Sequence, residues 1–499
     1  MKACFLLQRR FAYVGHKVAV ILKEKYGVEN FCGYVYLRSS FEFLKNQKEI
    51  NYTSLILDED LHERYHNEKL DLAFLNNFEQ EYGIPNLWPY VTLDRVVMFN
   101  MLAREYPYDT PKYTHEEMMK IFQVKAKAIL YFLESEKPDF IFMTIVGSIS
   151  SLLLYEIAKK KNIKIFIGAE TRINNGYTLT ENYKNFSYAK LFFIKNKVSG
   201  QKLAEAKKYL LEFREHPAAF YYDLKSEIDV ERGRQINWLF SKKFFQSLSW
   251  FLIICWRYFF KKQFRDYCDE QPLTYFFDRL RRKVRSLIGF KHLYDEIDLK
   301  EDFAFFPLHL EPEVATMLMA PFWTDQINLI KQIAKSLPLH FKLYVKEHPT
   351  MVGYRTHDYY KKLKKIPNVK LVNPRTGSFD LLKNAKLITT ITGTTGWEGI
   401  LFKKPIITFG DVFYNALSTV KHCHEIEQLP FLIKKQLENF RHDETELENF
   451  IGAILEESAP IDLTKIWEQG EAPEIEKEKL TLLVDLIAKK LDLKLRLSN

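Results

Sequence analysis

Apolar and polar positions along the first 190 residues alternate between a strand period and a helix period. Residues 4–7 are an unbroken apolar run and read as a buried strand. Residues 14–25 place apolar side chains at helical spacing until Gly27 ends the pattern. Residues 31–36, 54–57 and 140–144 read as further strands, the last introduced by the loop residues Lys137-Pro138-Asp139. Residues 148–161 predict a helix with Ser148 near its cap, and residues 163–167 predict the next strand. Such βα alternation predicts a parallel sheet in a Rossmann-like unit. The fingerprint G-x-G-x-x-G is absent from it, which argues against a dinucleotide site.

The alternation breaks over residues 195–295, where charged helical patterns dominate and glycine is scarce. It returns over residues 300–415, and residues 416–499 are mostly helical, closing on an amphipathic stretch at 476–496. A chain of 499 residues is too long for one core. The pattern predicts an N-terminal domain at 1–195, a basic helical insertion at 196–298, a second α/β domain at 299–475 and a helix at 476–499 crossing back. Two Rossmann-like domains facing a cleft, with a helical insertion and a helical tail, make an α/β chain of the GT-B architecture used by many nucleotide-sugar transferases.

Two strands of the second α/β unit end abruptly in residues suited to gripping an anion. The run at 341–345 stops at Lys346-Glu347-His348-Pro349. Proline fixes the backbone where the chain leaves the sheet, and the His348 imidazole can then donate to a phosphate oxygen. Lys346 can neutralise phosphate charge, or equally face solvent or pair with Glu347. The run at 387–391 stops at Thr392-Gly393-Thr394-Thr395-Gly396, 44 residues beyond His348, and leads into a helix expected to start near Trp397. A glycine-rich turn at a helix N-terminus aims free backbone N–H groups and the positive end of the helix dipole at a ligand. Glu398, placed by this reading in the first helical turn, can cap the helix or accept from ribose hydroxyls. Asp325-Gln326 reads as the exposed start of another helix.

These residues carry a family resemblance. The order LHLEPE (308–313), VKEHP (345–349), NPRTGSFDLL (373–382) and TITGTTGWEGILFKKPIITFG (390–410) closely resembles the bacterial capsule polysaccharide biosynthesis family, which includes Kdo (3-deoxy-D-manno-oct-2-ulosonic acid) transferases. The His-Pro pair and the hydroxyl-glycine turn also resemble the two donor motifs of bacterial sialyltransferases, which use CMP-sugars. The resemblance implies a glycosyltransferase taking a nucleotide sugar, such as CMP-Kdo, to a capsule or other surface-glycan acceptor. It implies donor contacts at His309, Glu313, Lys346, His348, Pro349, Thr392, Gly393, Thr394, Thr395 and Glu398. The family usually has glutamine where this chain has Glu311, and often alanine at the position of Thr395. In the N-terminal half, Glu170 and Asp94 are the candidate catalytic carboxylates, and Arg172 is placed to bind the acceptor or a sugar carboxylate. A salt bridge within the loop is the plainer reading of Glu170 and Arg172. Rival readings are a CDP-polyol phosphotransferase or a nucleotide-sugar epimerase on the same fold, or a non-catalytic glycan-assembly protein.

Composition narrows the partners. Five scattered cysteines (Cys4, Cys32, Cys255, Cys268, Cys423) form no C-x-x-C and suit a reducing cytoplasm. Without a histidine cluster or an Asp-x-Asp motif, no metal and no cofactor beyond the nucleotide sugar is expected. The apolar run near the N-terminus is too short for a signal peptide, and no window is long enough to span a membrane. The net charge of +9 is concentrated at 242–291, which holds twelve Lys/Arg against four Asp/Glu. That segment includes Trp250 to Trp256 and the cations Lys261 and Lys262. It reads either as an interfacial helix on an anionic membrane or as an insertion packed on a domain. The expected partners are a nucleotide-sugar donor, a glycan or lipid-linked glycan acceptor and this membrane surface, with no nucleic acid. The expected location is the cytoplasm, peripheral on the inner face of the membrane.

Overall fold

The computed structural model describes residues 1–8, 11–99, 111–218, 242–260, 272–463 and 477–496. Lys261, Lys262, Cys268 and Glu476, singled out above, lie outside them.

Side chains buried on both faces of a strand call for cover on both sides, and that is what the apolar runs obtain. Ala3 to Leu7 have no exposed surface. They form the centre of β1 (Lys2–Leu7), which pairs in parallel with β2 (Asn30–Val35) and β4 (Phe140–Met143). With β3 (Tyr52–Leu57) and β5 (Lys164–Glu170) they build a parallel sheet. β6 (Tyr177–Thr180) is added antiparallel to β5, and β13 (Ser458–Ala459) antiparallel to β6. The order is β13-β6-β5-β4-β1-β2-β3.

The second sheet is parallel throughout. Its strands are β7 (Phe303–Pro307), β8 (Lys342–Lys346), β9 (Val369–Val372), β10 (Leu387–Thr390), β11 (Ile406–Thr408) and β12 (Val420–His422), in the order β12-β11-β10-β7-β8-β9. The chain runs outward from β7 in one direction and from β10 in the other. The crevice between β7 and β10 is therefore the switch point, where open α/β sheets bind ligands. Two Rossmann-like units with facing strand ends give a GT-B arrangement.

The ends of the two sheets touch. A Cβ on Gly147, just after β4, would lie 2.8 Å from Val314. Lys184 pairs with Asp411 at 2.8 Å, and Phe186 stacks on Phe413 at 4.5 Å. The helix Lys477–Lys490 packs on the helix Phe11–Tyr26 of the first unit, where Asp485 accepts from Lys25 Nζ at 2.7 Å and from the Tyr26 hydroxyl at 2.7 Å.

Packing does not change at residue 195. The helix Gly200–Glu215, expected in the insertion, buries Ala206 and Leu210 in the same core as Trp397 and Phe450 of the second unit. Among the described residues of this region, the helices Lys242–Phe260 and Pro272–Ile288 carry many exposed apolar side chains.

Candidate functional site

The turn after β10 tightens earlier than its sequence suggested. The helix runs Thr394–Leu401, with Gly393 as N-cap and no side chain capping it. Thr394 and Thr395 occupy its first turn, and Glu398 falls in the second. Gly393 is required by close approach: a Cβ there would sit 2.8 Å from Thr390 Oγ1 and 3.1 Å from His309 Nε2. Gly396 makes room for the Tyr414 hydroxyl, which donates to the Gly393 carbonyl at 2.7 Å.

His309 lies beneath this turn rather than at its surface. Its Nε2 accepts from the Thr392 N–H at 3.2 Å, which leaves the ring proton on Nδ1. Burial, with His348 and Arg355 nearby, lowers its pKa to about 3, so the ring is neutral. The Thr392 hydroxyl also turns inward, donating to the Ala315 carbonyl at 3.0 Å. Both residues shape the loop from within. Glu313 is half-buried and is the N-cap residue of the short helix Val314–Met317.

The loop after β8 presents His348. Its Nδ1 accepts from the Thr350 N–H at 3.3 Å and lies 2.8 Å from the Thr350 hydroxyl. The proton is thereby held on Nε2, the donor a phosphate needs. Pro349 opens the one-turn helix Pro349–Met351. Lys346 is 7% exposed and donates to the Thr376 carbonyl at 2.7 Å and to Ser378 Oγ at 2.6 Å. Burial lowers its pKa to about 8, partly offset by Glu398.

Glu398 is 9% exposed, and burial raises its pKa to about 7 against the opposing pull of Lys346 and Arg172. Arg172 comes from the other unit. It stands just past β5 in the left-handed region, at φ 62°, with Nη1 2.7 Å from Glu170 Oε2. Its carbonyl accepts from the Tyr209 hydroxyl at 3.2 Å, so the helix Gly200–Glu215 supports the loop. Glu170, Arg172, Lys346 and Glu398 thus gather in one electrostatic cluster between the two sheets.

Asp94 does not join them. It is 2% exposed, and its oxygens accept from the N–H groups of Val96 (3.0 Å), Val97 (3.1 Å) and Ile149 (3.0 Å). These bonds cap the two helices that begin beside Asp94 and Ser148, a structural use of the carboxylate that stands beside the catalytic one expected of it.

Two bracing residues carried no signal in the sequence. Arg355 is fully buried, paired with Glu347, 3.2 Å from Glu311 and donating to the His309 carbonyl at 2.7 Å. It ties the loop after β7 to the loop after β8. It also compensates the charge of Glu311, the position at which this chain departs from the usual glutamine. Gln326 is buried, not exposed: its Oε1 accepts from the His309 N–H at 2.7 Å, and its amide donates to Glu311 and the His309 carbonyl.

Among the described residues no group of three or more His, Cys, Asp or Glu is placed to hold a metal ion, and no helix is long and apolar enough to cross a membrane.

The chain is similar to protein FixF of Sinorhizobium fredii (strain NBRC 101917 / NGR234), with 28% identity over 146 residues, which make up 28% of this chain and 34% of FixF. It therefore spans about a third of the length of that relative. Among solved structures, similarity extends to the beta Kdo 2,7 transferase KpsC of Thermosulfurimonas dismutans (TM-score 0.38, 11% identity, 72% of this chain and 89% of that one). It also extends to the UDP-GlcNAc 2-epimerase of Methanocaldococcus jannaschii (TM-score 0.27, 14% identity, 91% and 99%). Through residues 257–428, which hold both the open turn and the braces beneath it, the chain matches the capsule polysaccharide biosynthesis protein family.

Proposed function

We propose that this chain is a glycosyltransferase that moves a sugar from a nucleotide-sugar donor, CMP-linked as in CMP-Kdo, to a capsule or other surface-glycan acceptor. The observation that carries the reading is the uncapped N-terminus of the helix Thr394–Leu401, at the switch point of its sheet and in the same cleft as the His348 loop. The donor phosphate would lie at that helix end, receiving N–H groups of the first turn and His348 Nε2–H. As the bond from the sugar to the phosphate oxygen breaks, negative charge grows on the phosphate, and these preorganised donors stabilise it. Glu170 would take the proton of the acceptor hydroxyl as its oxygen bonds to the sugar. Arg172 would hold Glu170 in place or bind a carboxylate on an acidic sugar. Glu398 would accept from the ribose hydroxyls. No metal is needed in this scheme, because the helix end, His348 and Lys346 meet the phosphate charge.

The proposed location is the cytoplasm, where free thiols such as Cys4, Cys32 and Cys423 stay reduced. Attachment to a membrane rests on other residues, the helices Lys242–Phe260 and Pro272–Ile288, and does not depend on the donor.

Calorimetric titration of the wild type and of His348→Ala with CMP, CDP, UDP and CMP-Kdo tests the reading. Cytidine nucleotides should bind the wild type. His348→Ala should lose about 1.5–3 kcal/mol, the usual worth of a hydrogen bond to a charged group. An unchanged affinity in the variant, or a wild type that binds none of the four, would sink the proposal.

A further inference from the structure

We propose that the hairpin of helices Lys242–Phe260 and Pro272–Ile288 is an interfacial anchor that lays its aromatic face on an anionic phospholipid surface. The two helices pack on each other through Phe251, whose ring centre lies 5.7 Å from that of Phe276. Many of their other apolar side chains are exposed. Trp250 and Trp256 are each 49% exposed, Phe259 61%, Phe260 76%, Leu273 70% and Ile288 60%. So many large exposed apolar side chains on one pair of helices mark an interaction surface.

Charge selects the occupant. The sequence over 242–291 holds twelve Lys/Arg against four Asp/Glu, and of these Lys242, Arg279 and Arg281 are exposed on the two described helices. A second copy of the same face would set cation against cation. An anionic lipid surface meets the cations at the headgroups and the apolar side chains just below, with tryptophan at the boundary. Neither described helix is long and apolar enough to cross a membrane, so the hairpin lies on the surface rather than spanning it.

The root of the hairpin is fixed to the candidate donor site. The Arg282 guanidinium stacks on the Tyr354 ring at 3.5 Å, and Arg285 donates to the Tyr354 carbonyl. Tyr354 precedes Arg355, the brace of the two loops. Phe290, just past the hairpin, stacks on His357 at 4.5 Å. A chain docked through this hairpin would hold its cleft at a set height and orientation above the lipid.

The test uses the full chain, sedimented with vesicles of phosphatidylcholine alone and of phosphatidylcholine mixed with phosphatidylglycerol. Binding should favour the anionic vesicles and weaken as salt is raised, because the attraction is screened over about 8 Å at physiological ionic strength. Arg279→Glu with Arg281→Glu should lower the partition onto anionic vesicles roughly tenfold or more. Trp250→Ser with Trp256→Ser should lower it on both compositions. Both variants should bind nucleotide as the wild type does, which separates loss of docking from loss of fold. The inference is overturned if the wild type ignores anionic vesicles at low salt, or if binding survives both pairs of substitutions. It is also overturned by a dimer that the tryptophan substitutions dissolve while vesicles are ignored, which would make the face an interface between copies.

Discussion

The two sheets each end a switch-point strand in a tight turn and a helix, and the two turns are finished in opposite ways. After β4, the helix Ile149–Lys160 closes its own N-terminus. Ser148 and Ser151 form a capping box, Ser151 Oγ takes the Gly147 N–H at 2.9 Å, the Tyr36 hydroxyl takes the Ser151 N–H at 3.1 Å and Asp94 takes that of Ile149 at 3.0 Å. After β10, side chains accept only from the N–H groups that precede the helix Thr394–Leu401, Thr392 to His309 Nε2 and Gly393 to Thr390 Oγ1, and its glycine N-cap offers no side-chain acceptor to the first turn. A helix end always leaves N–H groups without an intrahelical partner, and something must accept from them. In the first unit the protein supplies that acceptor, a carboxylate included. In the second the position is left to solvent or to a ligand, and an anion is the ligand that the dipole favours.

The largest effect should come from closing the open turn. Thr394→Asp puts a carboxylate in the first turn of its helix, where it suits the dipole, so the melting temperature should hold or rise. A bound phosphate would meet like charge and lose donors. Nucleotide affinity should fall by about 3 kcal/mol, more than a hundredfold, in calorimetric titration. A variant that binds nucleotide normally would mean that no phosphate sits at this helix end, and the contrast between the turns would lose its functional meaning.

Closing the turn tests a feature that local sequence reveals. A strand, a Thr-Gly turn and a helix occupy consecutive positions, and so do a strand and the His348-Pro349 pair. What escaped was set by partners far along the chain. Arg355 looks like any loop arginine until the fold buries it between Glu347 and Glu311. Gln326 reads as the exposed start of a helix, yet it clamps His309 from 17 residues away. His309 matches the motif but points inward, because Thr392 and Gly393 cross above it. The antiparallel edge β6 and β13 brings together residues 458 and 178, and a two-residue strand has no period to read. The helix Gly200–Glu215 looks like the start of an insertion because its charged face is visible in sequence, whereas the core it joins draws on residues as distant as Phe303, Trp397 and Phe450.

The open turn also carries a cost in stability that should be measurable at Glu398. Its carboxyl has an ordinary pKa of 4.5 when unfolded and about 7 in the fold. Between these values the folded chain holds a proton that the unfolded chain has released. Stability therefore falls as pH rises from about 4.5 through about 7, and the loss persists above it. Glu398→Gln removes the ionisation. It should melt higher than the wild type at pH 8, by the equivalent of about 3 kcal/mol, and alike at pH 4. Its affinity for nucleotide should drop at pH 8, since the amide accepts less well than a carboxylate. Equal melting of the two proteins at pH 8 would show Glu398 to be solvated or paired, and the cleft to be less closed than its burial indicates.

The smallest effect should appear on opening the closed turn, and it decides the status of Asp94. Burial raises the pKa of this carboxyl, with Lys125 and its backbone donors pulling the other way. Asn keeps the shape of the side chain. Its oxygen can still accept from Val96 and Val97, but its amide nitrogen then faces the Ile149 N–H, donor against donor. Losing that one bond should cost about 1–2 kcal/mol in denaturant unfolding. Turnover per folded molecule should stay near the wild type, because none of the three N–H groups on Asp94 lies in the reaction path proposed for the cleft. If Asp94→Asn were instead as stable as the wild type and lost turnover a hundredfold, the carboxylate would be chemical rather than structural. The N-terminal turn would then be a working site as well, and the difference between the two helix ends would reflect two kinds of chemistry rather than one site and one scaffold.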